Sequence, residues 1–293
     1  RISNFIGGKI MVFDFVFQEE VVQKSQFIDW LVDKLQQAGW VYETADRPRD
    51  LFIFTSTGED GQQNIRLQIK DYYRTSSTNR FQTGTTGTIG IRTFHTYTPA
   101  TTTTGAGSIV PNATYQETRI CTDLSPENNI TVNYHINKDR IIMATESGNT
   151  TTNSASCFFA AGKLYNLHDI NADSATHVIV SHSQFDPEFA GRGFIKGQGV
   201  ETNMTTHSWV TFPTLVKSSG NITMSELVVR NNLVGLTFMV ENIFHVNFYG
   251  KEPQAYYNGT IIQDAEGRIY KLLSNPSSYA KTADFKFFAI RVG

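Results

Sequence analysis

The stretch WVYETADRPRDLFIFTSTGEDGQQNIRLQIKDYY, residues 40–73, decides the fold. It opens where an amphipathic segment stops at Gly39-Trp40, and a short apolar run follows: Leu51, Phe52, Ile53 and Phe54. Next comes the turn Ser56-Thr57-Gly58-Glu59-Asp60-Gly61. Beyond it, Ile65, Leu67 and Ile69 alternate with Arg66, Gln68 and Lys70 up to Tyr72-Tyr73. Strict period-two alternation predicts a strand with one buried face and one wet face. Gly58 and Gly61 supply the positive φ that a tight reversal needs. The stretch therefore predicts a helix packed on a hairpin, with nothing catalytic at the turn. It is a building block rather than an active site.

Working backwards, residues from about Glu19 to Ala38 read as one long helix. Val21, Ile28, Leu31 and Leu35 recur on one side, flanked by Phe27 and Trp30, and Gly39 is a good C-terminal stop. A helix apolar over that arc must pack on something, and the hairpin after it is the nearest partner. The segment from Lys9 to Phe17 is apolar and reads as a strand or an arm.

Working forwards, the text changes over about 75–128. Thr83-Gly84-Thr85-Thr86-Gly87-Thr88 and Thr101-Thr102-Thr103-Thr104-Gly105-Ala106-Gly107 are small, polar and turn-forming, with one strand expected at Ile89–Tyr97. This Thr/Gly-rich excursion reads as a surface loop or a contact loop. Strands return at Ile130–His135 and Arg140–Glu146, joined through Asn137-Lys138-Asp139, and again at Ser156–Ala161 and His177–Ser181. A loop-rich stretch follows through Gly191, Gly193, Gly197 and Gly199. Short strands resume at Ser208–Phe212, Leu227–Val229, Leu236–Val240 and Val246–Tyr249. Near the end, Thr260–Gln263 and Arg268–Leu273 flank Asp264-Ala265-Glu266-Gly267, a hairpin turn, and Phe285–Val292 forms the final strand. The expected fold is α+β, mainly antiparallel β, with one long N-terminal helix packed on a sheet and a β-sandwich-like C-terminal region. The organisation is either two regions, 1–165 and 166–293, or one continuous domain.

Composition narrows the function classes. The chain has 293 residues, 40% hydrophobic and only 18% charged, against roughly 25% charged in an ordinary soluble domain. Thr, Ser, Asn and Gln take the place of the missing charge. That suits either a surface covered by neighbours, whose cores are depleted in charge, or an extracellular β-rich protein. A net charge of −2 without basic runs argues against nucleic acid as a partner. No apolar run approaches the ~20 residues of a membrane helix, and the opening Arg1-Ile2-Ser3-Asn4 has no signal-peptide core. Cys121 and Cys157 lie far apart and read as two reduced, buried thiols, with one disulfide as the alternative. Asn112, Asn129, Asn149, Asn203, Asn221 and Asn258 head glycan-acceptor triplets, which a chain rich in Asn and Thr also produces by chance.

The order of pieces resembles a family of virion structural proteins of tailed bacteriophages. The resemblance is carried by Leu31–Trp40, Phe52–Phe54, the turn Gly58-Glu59-Asp60-Gly61 and the alternating strand Ile65–Tyr73. It continues in the hairpin from Tyr134 through Asn137-Lys138-Asp139 to Arg140-Ile141-Ile142-Met143-Ala144. Its last part lies in Gly259–Ile262, Glu266-Gly267-Arg268-Ile269-Tyr270 and Phe287-Phe288-Ala289-Ile290. The resemblance implies a non-enzymatic subunit of the tail, neck or baseplate. Its partners would be other virion proteins and copies of itself, assembled in the bacterial host cytoplasm, without cofactor, nucleic acid or membrane. It supplies no catalytic residues.

Other constellations compete with that reading. His168, Asp169 and Asp173, with His177 and His182 nearby, are legitimate metal ligands by type, though Asp and Asn here also suit a turn. No His-Glu-x-x-His or EF-hand pattern is present. Asp186 and Glu188, with Glu146 upstream, are the residue types that cleave glycosidic bonds. Cys157 beside Phe158 and Phe159 reads as buried rather than nucleophilic. Tyr72, Tyr73, Tyr256 and Tyr257 are candidates for stacking on host glycans or anchoring a partner chain. Host-receptor recognition is therefore the first alternative function, and polysaccharide cleavage the second.

Overall fold

The computed structural model of the protein describes residues 5–6, 9–10, 15–43, 51–71, 87–94, 96–99, 108–110, 115–121, 127–147, 155–163, 165–166, 176–181, 189–194, 201–205, 217–219, 222–231, 237–248, 259–264, 266–274 and 287–293. These are mostly antiparallel strands with a single short helix.

The helix is shorter than its sequence pattern suggested. A 3-10 turn, Lys24–Gln26, leads into the α-helix Phe27–Gln37. The stretch from Glu19 to Gln23, expected to be its first turns, belongs instead to the strand Gln18–Gln23, paired antiparallel with Asn129–Ile136. The apolar spacing of Val21 fits a helix, yet its β-branched neighbour Val22 turns inward while Val21 turns out, as on a pleated ribbon. Long-range pairing outweighs local periodicity here. The helix buries Phe27, Ile28, Leu31 and Leu35. It ends in a Schellman motif: Gly39 N–H donates to Gln36 O (2.9 Å) and Trp40 N–H to Leu35 O (3.0 Å), with Gly39 at φ +89°.

The small sheet has the order Gln116–Cys121, Gly87–Thr93, Ile65–Asp71, Leu51–Ser56, Val41–Glu43. The expected hairpin is present, with Ile53 opposite Gln68 and Phe54 opposite Leu67. Two of the five strands come from the Thr/Gly-rich excursion, so part of that segment is sheet rather than loop. Ile65, Leu67 and Ile69 face the core as the alternation required. The opposite face is only partly wet, because Gln68 is buried. Its side-chain oxygen accepts Arg92 Nε at 2.6 Å and the Tyr115 hydroxyl at 2.9 Å.

The large sheet runs in the order Ile261–Gln263, Ile269–Ser274, Phe287–Arg291, Thr237–Phe248, Ile222–Asn231, Glu201–Thr205, Phe189–Phe194, Thr176–Ser181, Ala155–Lys163, Arg140–Ser147, Asn129–Ile136, Gln18–Gln23. Strands from both halves of the chain thus share one sheet. Phe189–Phe194 corrects the loop expected around Gly191 and Gly193. The strand expected at Ser208–Phe212 lies outside the described residues.

Three clusters organise the packing. In the first, the helix and the inner face of the small sheet cover Val132, Ile141, Met143, Phe159 and Ala161. The second lies on the other face of those strands, where Ile142, Ala144, Phe158 and Ala160 meet Val240, Ile243, Leu273, Phe288 and Ile290. The runs Ile141–Ala144 and Phe158–Ala161 are therefore buried on both sides, which explains why they are apolar without alternation. The third gathers Phe244, Val246, Tyr270, Leu272 and Ala289 on the far face of the C-terminal strands. The second cluster packs residues of the C-terminal strands Thr237–Phe248, Ile269–Ser274 and Phe287–Arg291 against Arg140–Ser147 and Ala155–Lys163. Phe17 N–H also donates to Arg291 O at 2.9 Å.

Candidate functional site at the meeting of the turns

Three turns that carry the motif pattern converge on one spot. The Trp40 indole N–H, just past the helix stop, donates to Asn137 O at 2.7 Å. The Ser56 hydroxyl donates to Lys138 O at 2.6 Å. Glu59 N–H donates to an Asp139 carboxylate oxygen at 3.0 Å, and Lys138 N–H returns the bond to the Glu59 carboxylate at 3.1 Å. Asn137 organises its own hairpin, its side-chain oxygen accepting the N–H groups of Asp139 and Arg140. Lys163 N–H closes the joint from the third strand, donating to Asp139 O at 2.9 Å.

Close approach explains the glycines. Gly58 has φ +73°, and a Cβ there would stand 2.8 Å from an Asp139 carboxylate oxygen. Gly162 has φ +116°, and a Cβ there would stand 2.4 Å from Asp139 O. Asp60 takes Gln62 N–H and the Gln63 amide, which hold its carboxyl below the usual range.

Beneath the joint lies a charged pair that sequence reasoning missed. Arg140 Nη1 sits 2.6 Å from Glu241 Oε1, with both side chains buried. Glu241 occupies a bulge in Thr237–Phe248: Phe244 opposes Glu226 while Val240 opposes the next residue, Leu227. Asn242 in the bulge has φ +57°, and its side-chain amide donates to Phe15 O at 2.6 Å. The Phe15 ring stacks on His135, centroids 3.7 Å apart. The 2.6 Å approach argues for an ionised Glu241, but the pair lacks hydrogen-bond alignment and both carboxylate oxygens have no hydrogen-bond partner. Burial prevails over the Arg140 charge and pushes Glu241 up to about 7. Burial, reinforced by Arg140, lowers His135 to about 4. The visible signal is the adjacent Glu241-Asn242, the one carboxylate in the largely apolar run Phe238–Phe248.

Two further polar clusters join layers. Lys271 reaches Glu19 at 2.7 Å and Glu146 at 2.5 Å, and Glu146 also accepts the Asn133 amide at 2.8 Å. Glu146, weighed above as a glycosidase carboxylate, is therefore tied to a lysine. Glu20 accepts Trp30 Nε1 at 2.8 Å, Lys34 Nζ at 2.5 Å and the Tyr134 hydroxyl. Burial would raise this carboxyl, but those donors hold it low.

His168, Asp169, Asp173, His182, Asp186, Glu188, Tyr72, Tyr73, Tyr256 and Tyr257 lie outside the described residues. His177 is placed on strand Thr176–Ser181. Cys157 is buried. Among the described residues, no group of three or more His, Cys, Asp or Glu is placed to hold a metal ion, and no helix is long and apolar enough to cross a membrane. Chemically, the joint spends its donors and acceptors on one another and locks two sheets together. Comparison with family models, with curated proteins and with solved structures gives no match.

Proposed function

We propose that this chain is a non-enzymatic structural subunit of a tailed-phage virion, in the tail, neck or baseplate. It works by burying surface against copies of itself and other virion proteins after synthesis in the host cytoplasm. The observation that carries this reading is the convergence of the helix stop, the Gly58–Gly61 turn and the Asn137–Asp139 hairpin on one joint. These pieces of the motif pattern thus encode rigidity between layers, which an assembly module needs to transmit contact forces.

The exposed apolar residues support the same reading. Val21 (63% exposed), Val41 (59%) and Ile261 (56%) each lie on a strand at the end of its sheet. Sheet edges with apolar side chains are natural seats for neighbouring chains. The second core cluster favours a sandwich-like closure of the C-terminal strands over the central ones.

Cryo-EM of purified particles tests the proposal. A symmetric ring containing the chain, with these edges covered, is expected. A subunit at a fibre tip with the edges open to solvent would move the function to receptor binding.

A further inference from the structure

The strand Gln18–Gln23 ends the large sheet, and its outer side is open among the described residues. Its register fixes which groups face outward. Gln23 opposes Asn129, and one step on Lys24 N–H donates to Asn128 O at 2.8 Å. Hydrogen-bonded pairs alternate along an antiparallel ladder, so Gln18, Glu20 and Val22 bond inward. Glu19, Val21 and Gln23 then turn their N–H and C=O groups away from the sheet. Phe17 follows the same phase, its N–H reaching outward to Arg291 O. The edge is closed at Phe17 and open from Glu19 to Gln23.

We propose that this edge pairs antiparallel with the same strand of a second copy, about a two-fold axis through Val21, so that the large sheet continues across the dimer. The inference deepens the assembly role proposed above by naming the self-contact.

The side chains are self-complementary in one frame. With Val21 opposite Val21 of the second copy, Glu19 faces Gln23, whose side-chain amide donates to Glu127 O at 3.2 Å and keeps a second N–H, and Glu20 faces Val22. Val21, the most exposed large apolar residue among the described residues, is then covered by its own mate. Moving the axis to Glu20 sets two glutamates directly opposite each other, which is destabilising. Moving it to Val22 leaves only Val21–Gln23 paired before the second copy meets the 3-10 turn Lys24–Gln26, whereas the Val21 frame pairs the whole of Glu19–Gln23. Neither glutamate is an unpaired charge: Glu19 is held by Lys271, and Glu20 by Trp30, Lys34 and Tyr134. The strand QEEVVQ contains no Pro, Lys or bulge to blunt the edge.

Sedimentation of the full chain over a concentration series tests the seam. A monomer–dimer equilibrium is expected, with the Val21 amide gaining hydrogen-exchange protection as dimer forms. Val21→Pro removes only an outward N–H and should weaken the dimer by about tenfold or more, with the unfolding transition kept. Should that variant unfold, the charge variants decide. Gln23→Glu, set against Glu19, should weaken the dimer about threefold at low salt, and Gln23→Lys should tighten it by a similar factor, both effects fading in high salt. A chain that stays monomeric at ~100 µM, or a dimer indifferent to all three substitutions, would overturn the seam. In either case, finding the chain in a particle ring would leave the assembly role standing.

Discussion

The indole N–H of Trp40 donates to the backbone carbonyl of Asn137 across 2.7 Å of space and 97 residues of chain. Trp40 is also the residue after the helix-stopping Gly39, and its ring belongs to the core that the helix closes. One residue therefore helps end the helix through its backbone N–H, while its side chain fills the core and holds the tip of a hairpin in the other sheet. Trp40→Phe keeps most of the volume but leaves Asn137 O without this donor. It should cost about 1–3 kcal/mol in chemical denaturation, with an unchanged denaturant slope.

The glycines of the joint should rank by what surrounds them. Gly61 has φ +70° and nothing within 4 Å of an added Cβ, so Gly61→Ala should cost ~1 kcal/mol from backbone conformation alone. Gly162→Ala adds a 2.4 Å clash with Asp139 O and a 2.8 Å clash with Arg140 Cα, neither of which can swing aside. It should lose ~3 kcal/mol or more. Equal melting temperatures for the two variants would contradict this ranking.

How legible this was in the sequence follows from whether each signal is local. The turns at Gly58–Gly61 and Asp264–Gly267 were readable because positive φ is a local demand that glycine alone meets cheaply; Gly267 sits at φ +82°. The face of Ile65, Leu67 and Ile69 was readable because alternation is local too. Residues 19–23 have a helix-like spacing yet are strand, because their partner is Asn129–Ile136, more than a hundred residues later. The loop expected at Gly191–Gly193 is a strand for the same reason, held by partners on both sides. The Arg140–Glu241 pair was invisible because no pattern links two residues a hundred positions apart, one of them in a bulge that only the register reveals.

That pair and its neighbour His135 have opposite acid–base signatures. Glu241 is raised from 4.5 to about 7, so its neutral form is favoured by folding. Its contribution is full below pH 4.5 and is lost as pH rises to about 7, amounting to ~3 kcal/mol over the whole titration. His135 is lowered from 6.5 to about 4, so its contribution is full above pH 6.5 and is lost as pH falls to about 4. The two slopes oppose each other between these limits. Glu241→Gln should expose the histidine slope, giving stability that falls with acid, whereas His135→Phe should expose the glutamate slope, giving stability that falls towards neutral pH. Denaturation midpoints at pH 4.5, 5.5, 6.5 and 7.5 check both, and parallel profiles for the two variants would refute the assignment.

Lys271 joins the C-terminal hairpin to the N-terminal strand and to the central layer at once. It bonds to Glu19, whose side chain is about half exposed, and to Glu146, which is largely buried and also holds Asn133. An exposed ion pair contributes a few tenths of a kcal/mol, whereas a buried carboxylate deprived of its cation costs much more. Glu19→Gln should therefore change stability by less than about 0.5 kcal/mol, and Lys271→Met by ~2 kcal/mol or more. Adding Glu146→Gln to Lys271→Met should recover part of the loss, since the stranded charge is then gone. A double-mutant cycle by urea denaturation measures this directly. Simple additivity of the two substitutions would mean that Lys271 serves packing through its alkyl stem rather than the charge of Glu146.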